Sequence, residues 1–307
     1  MGEILSDAGG SPASVVPMRL AVGGTRKRLP RSVADEDHER VAKQAGEWQQ
    51  TAGNARSWEL GAVVRGTDRD RCYELVGLMA SAGEQLALAH AAAVEVALWR
   101  DVREKAEPDP AHEMSMRAMA EAQSLFVIGT GHGLANLTVR ALCLERKLRA
   151  DLIKRFTHVG SSPNFGPFSE KPVDWLSMNA KTCKKIRAVA KASAAQEVIK
   201  LVEPVATLGK GQPWRNLVDR RGEDFHRWRP QSHGIECVPR TSPWKQKDKS
   251  QVLKLGHSPY EETAKRADET ARVATEAMLE LARSMEAFMD RWPAASGHLG
   301  GPRFKSD

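Results

Sequence analysis

SPYEETAKRADETARVATEAMLELARSMEAFMDRW, residues 258–292, decides the fold. Serine at 258 is a good N-cap, Pro259 suits the first helical position, and Glu261, three residues after the cap, completes a capping box. Tyr260, Ala264, Ala267, Ala271, Ala274, Met278, Leu281, Met285, Phe288 and Trp292 then recur at alternating steps of four and three. That spacing gathers them on one stripe of a long helix, and a stripe of this length must be covered by other helices.

Working outward, the same period returns upstream. Cys72, Leu75, Met79, Ala82, Leu86, Ala89, Ala93 and Val96 step by three and four behind the Thr67 cap, predicting a helix from Thr67 to about Lys105, before Pro108 and Pro110. Asp109-Pro110 restarts a helix, and residues 111–156 read as mostly helical. SVADEDHERVAKQAGEWQQ, from Ser32, opens with an acid-rich first turn as a helix should. No segment alternates as a strand does. The predicted fold is all-α, a bundle of about six helices in one domain over residues 33–293.

The ends read differently. Residues 1–32, with Gly9, Gly10, Pro12, Pro17, Gly23, Gly24 and the cluster Arg26-Lys27-Arg28, predict a disordered basic arm, and residues 294–307 a flexible tail. Met1-Gly2 with Ser6 fits the short myristoylation pattern, while the start has neither the basic opening nor the apolar run of a secretory signal. The uncharged stretch between Glu121 and Arg140 carries Gln123, Ser124, His132, Asn136 and three glycines, so it predicts a core segment and no membrane span. Cys72, Cys143, Cys183 and Cys237 form no CxxC pair, which predicts no zinc site, no disulfide framework and a cytoplasmic setting.

Composition, at 41% hydrophobic and 28% charged with a mean hydropathy of -0.46, is that of a globular protein rather than a disordered or fibrous one. The net charge of +7 is unevenly placed. Residues 1–180 carry 22 basic and 23 acidic side chains, residues 181–257 carry 17 and 7, and residues 258–307 carry 7 and 9. The block of +10 at 181–257 is suited to phosphates or other anionic surfaces. Within it, a helix from about Val173 to Glu203 groups Lys181, Lys184, Lys185 and Lys191, with Cys183, Ile186, Ala190 and Ala194 facing the other way.

The segment from Trp214 to Arg229 holds the candidate chemistry. Trp214, Leu217, Val218, Phe225 and Trp228 form an apolar stripe on a short helix, and position 221, an arginine, falls on the same line. A guanidinium on a core-facing line must meet a carboxylate, snorkel outward or line a polar cleft. His226 stands five residues after Arg221, so the two share no face of a regular helix, although Gly222 makes a distortion there cheaper.

Arg220-Arg221-Gly222-Glu223-Asp224-Phe225-His226 resembles the arginine, four to six residues, histidine motif of the HEPN superfamily, with Gly222 where that family usually has Asn, Asp or His. The segment Leu125-Phe126 to Gly131-His132-Gly133, followed by Leu134 to Leu148 with Glu145 and Lys147, is similar to an early HEPN helix, and the likeness covers about residues 110–292. The resemblance implies an all-helical domain and a homodimer that cleaves RNA without a metal or cofactor. In that reading His226 is the general acid or base and Arg221 steadies the scissile phosphate. Arg220 and Asp224 support them, and Arg227, Arg229 and Trp228 hold RNA, with Trp244 a further base-stacking candidate. The alternative is a non-catalytic helical protein that binds nucleic acid or an acidic partner through the basic block. Two lesser expectations concern phosphate binding by Gly129-Thr130-Gly131-His132-Gly133, for which close helix packing is the plainer explanation, and a metal held by His226 and His233 with Glu223 or Asp224.

Overall fold

The computed structural model describes residues 36–57, 69–104, 110–158, 161–165, 174–226 and 260–301. Among the described residues there are eight helices and no strand: α1 (Glu36–Ser57), α2 (Arg69–Arg103), α3 (Pro110–Leu142), α4 (Arg146–Phe156), α5 (Ala180–Ala190), α6 (Gln196–Leu208), α7 (Gln212–His226) and α8 (Tyr260–Leu299). None is long and apolar enough to cross a membrane.

The all-α expectation holds, and the four long helices α1, α2, α3 and α8 form its frame. Antiparallel pairing of α2 and α3 brings Glu74 beside Arg140 and Ala82 beside Gly133. Gln123 of α3 donates to Thr275 Oγ1 of α8 at 2.9 Å, and α1 closes the frame by setting Trp48 at a tilt against Phe288, which in turn stacks on Trp292. All three aromatic residues are buried, as are Leu281 and Met285 from the same stripe of α8. The shorter helices α4–α7 make an excursion between α3 and α8. Within it α4 packs on α5, α5 on α6, and α6 and α7 on α8.

Differences from the expected elements have local causes. Residues 111–156 divide at Cys143–Glu145 because Glu145 takes an extended conformation, and its carboxylate accepts from the backbone N–H groups of Lys147 and Leu148 at 3.0 and 2.7 Å, capping α4. The single helix expected over Val173–Glu203 is three pieces: an extended run at 174–178, then α5, then α6. Asn179 caps α5 by accepting from Thr182 N–H at 2.9 Å, and the Ser193 hydroxyl accepts from Ala195 N–H as the chain turns into α6, which continues through Pro204 to Leu208. The last helix does not end near Trp292. It passes Pro293, buries Ala295, Ser296 and Leu299, and stops where Gly300 takes a φ of 71° and Gly301 N–H reaches back to Ser296 O at 2.9 Å, so residues 294–299 are helix rather than tail. The expected arm at 1–32 lies outside the described residues.

Candidate nucleic-acid interface

Among the described residues, two short amphipathic helices carry a concentrated positive charge. Leu148, Leu152 and Phe156 bury one side of α4, and Thr182, Cys183, Ile186, Val189 and Ala190 bury one side of α5. What remains outward is cationic: Arg146, Lys147, Lys154 and Arg155 of α4 are exposed, with Arg149 half-buried. On α5, Lys181 and Lys184 are exposed and Lys185 and Arg187 half-buried, and the exposed Lys191 follows as the C-cap. Asp151 is the one acid within the two helices, and Arg155 Nε already donates to it at 2.8 Å. The helices are joined by Lys185, whose Nζ stands 4.5 Å from the centre of the Phe156 ring, and by Phe156 itself, which meets Phe165 edge-on at 5.7 Å.

The lysines read from the sequence therefore do stand together, and α4 adds five cations to them. The charge balance of the sequence hides these five, because the first 180 residues sum to almost no net charge. A charge count over a long window averages away an eleven-residue basic helix.

The arginine–histidine segment is arranged differently from its expected form. Trp214 and Leu217 are buried, but Val218 is 38% exposed and Arg221 is exposed. The packed line of α7 runs 214, 217, 220, stepping by three where the expected line stepped by four, because α7 lies along α8. Arg220 is the guanidinium that packs: it donates to Thr270 Oγ1 at 3.2 Å and to Arg266 O at 3.4 Å, and pairs with Glu269 at 3.3 Å. Arg220 thus fastens α7 to α8, and Arg221 is a surface cation. The helix is continuous through Gly222 to His226, so the positions of Arg221 and His226 lie about 140° apart around the axis and α7 alone does not bring them to one face. The side chains of Asp224 and His226, and the whole of Arg227, Trp228, Arg229, His233, Cys237 and Trp244, lie outside the described residues.

The glycine-rich segment is packing. It sits inside a continuous α3, with Trp214 lying against Gly131 so closely that a Cβ there would overlap its ring, and Gln85 lying against Gly129. His132 Nδ1 accepts the backbone N–H of Met178 at 3.0 Å, and its ring meets Trp214 edge-on at 6.2 Å. Burial pushes the His132 pKa down, and the nearby Arg221 charge adds to the effect. A neutral imidazole whose Nδ1 accepts carries its proton on Nε2, so His132 is held as a donor rather than poised as a base.

A cleft of about 590 Å³ opens elsewhere, floored by Ala93, Val96, Ala97 and Ala271. Its arginines are matched by acids: Arg100 and Arg103 both hold Asp268 at 2.8 Å, and Arg272 holds Glu276 at 2.6 Å. It offers no excess of charge to compare with α4 and α5. Among the described residues no group of three His, Cys, Asp or Glu side chains stands together to hold a metal, and Cys72, Cys143 and Cys183 are buried thiols, the last two with pKa pushed up to about 11 by burial.

Comparison with protein-family models, with curated proteins and with solved structures finds no match.

Proposed function

We propose that this protein binds nucleic acid, with RNA the expected partner, through the cationic face of α4 and α5. The observation that carries this reading is the joining of two helices with nine lysines and arginines and a single, already paired acid into one surface. Such a surface binds the phosphate backbone by releasing condensed counterions, so its affinity falls steeply with salt. The test is equilibrium binding of a labelled RNA to the full chain across a salt series. Lys181→Ala with Lys184→Ala should weaken binding and flatten the logarithmic salt slope by about 1.5 for a single strand. Absence of binding at low salt overturns the reading.

A second reading, metal-independent RNA cleavage by Arg221 and His226, draws support from the exposure of Arg221, which leaves a permanent cation on the outer side of α7. Because the two positions do not share a face of α7, such a site is completed by a second copy of the chain, in keeping with the homodimer that the HEPN resemblance implies. Incubating the protein and its His226→Ala variant with labelled RNA in EDTA tests it. Cleavage that survives in the variant, or is absent from both, removes it.

A further inference from the structure

We infer that the extended run at 174–178 is a base-stacking platform, and that Trp175 gives the α4–α5 surface a preference for single-stranded over duplex nucleic acid. This rests on the nucleic-acid reading above and specifies the state of the strand.

Trp175 is 50% exposed, although burying an indole is among the larger gains open to a folding chain. It is not exposed through slackness of the backbone around it. Asp174 N–H donates to Asn164 O at 3.0 Å, and the Asp174 carboxylate takes Asn164 N–H at 2.7 Å. On the other side, Leu176 N–H donates to Asn136 Oδ1 at 2.9 Å and Leu176 O accepts from Asn136 Nδ2 at 2.8 Å. Two residues on, Met178 N–H donates to His132 Nδ1 at 3.0 Å. Leu176 and Met178 turn inward while Trp175 and Ser177 are exposed, the period-two alternation of an extended chain lying on α3. The backbone is thus fixed on both sides of an outward indole.

That indole is linked to the cationic surface through its neighbours in the chain. Asn164, bonded to Asp174, precedes Phe165, whose ring meets Phe156 of α4, and Phe156 carries the Lys185 ammonium of α5 on its face. Along the chain, Lys181 is six residues from Trp175, no more than about 21 Å even if fully extended. A fixed aromatic face beside a track of cations is the arrangement that takes unpaired bases on the ring and phosphates on the lysines. In a duplex the bases are already stacked on one another, so the indole gains nothing there beyond what the lysines supply.

The test measures binding of a fluorescein-labelled 12-nucleotide oligouridylate and of an RNA duplex of equal length to the full chain. The wild type, Trp175→Ala, Trp175→Phe and the Lys181→Ala, Lys184→Ala double variant are compared, with sedimentation of each. Trp175→Ala should lower single-strand affinity about ten-fold and leave duplex affinity within about two-fold, with most of the loss restored in Trp175→Phe. The lysine variant should weaken both. Equal losses of Trp175→Ala on strand and duplex, or no loss on the strand while the lysine variant does lose affinity, overturns the platform and leaves the broader reading standing. A change of oligomeric state in Trp175→Ala also overturns it, since the indole then serves a second copy of the chain. If the wild type binds neither RNA at low salt, the nucleic-acid reading itself fails.

Discussion

Arg140 is 1% exposed and lies in the core, an unusual place for a cation. Its Nε donates to Glu74 Oε1 at 2.8 Å, its Nη2 to Asp174 O at 3.3 Å, and its guanidinium lies 5.2 Å from the Phe165 ring centre. Burial pushes the Glu74 pKa up, and the charges of Arg140 and Arg71 oppose that rise. Arg71 adds a hydrogen bond to Phe165 O at 2.8 Å, so the cluster ties Phe165 and Asp174, the residue before Trp175, to α2 and α3. Removing one member of a buried pair strands the other, so Arg140→Met should cost about 3–5 kcal/mol in denaturant unfolding. Arg140→Met with Glu74→Leu should recover part of that loss, and a single variant as stable as the wild type would show the pair to be dispensable. Gly131 makes the opposite demand, for empty space. A methyl there meets the Trp214 ring, which is 1% exposed and anchored by its Nε1–H to Met178 O at 3.2 Å, so Gly131→Ala should lower stability by about 1–3 kcal/mol in the same assay.

At the scale of elements, α5 is the piece on which the basic surface depends, and it is only 11 residues long. A helix this short is marginal alone, so its cap matters. Asn179→Ala should cost about 1 kcal/mol and speed amide exchange within α5 ahead of the other helices, whereas Asn179→Ser should retain most of the protection. That dependence was hidden in the sequence for a physical reason. Long helices announce themselves, because Leu75 to Val96 and Tyr260 to Trp292 repeat an apolar period many times over. Residues 173–203 look like one such helix, yet the partners that hold 174–178 extended are Asn136 and His132, 40 and 46 residues away, and Asn164, 10 residues away, and no helical period records them. Likewise the line along α7 could run through position 220 or 221, since steps of three and four are both helical. Contact with α8 chose Arg220. The lysines of α5 were legible because amphipathicity is local, and Trp175 was not, because its exposure follows from those distant hydrogen bonds.

For the whole molecule, one core runs through both the long frame of α1, α2, α3 and α8 and the excursion α4–α7, whose outward side holds the cationic face. One titrating contact lies inside the frame, between α1 and α2. His90 of α2 faces His38 of α1 with ring centres 5.4 Å apart, and burial, helped by the His38 charge, pushes its pKa down from 6.5 to about 4. Between those values the unfolded chain binds a proton that the folded chain refuses. The contribution of His90 is thus fully present above pH 6.5 and is lost as pH falls toward 4. Moving from pH 7 to pH 5 removes about 2 kcal/mol through this one group. Glu74, Glu95 and Glu280, whose pKa values burial raises above 4.5, act with the opposite sign, and His132 acts with the same sign as His90. The comparison that isolates His90 is therefore a difference of differences. Chemical denaturation of wild type and His90→Gln at pH 7 and pH 5 should show the variant losing about 2 kcal/mol less on acidification, because glutamine neither titrates nor repels a proton on His38, while Glu74, Glu95, Glu280 and His132 titrate in both chains. Equal losses in the two proteins would mean that the His38–His90 contact opens to solvent and that α1 does not hold its place on α2 in acid.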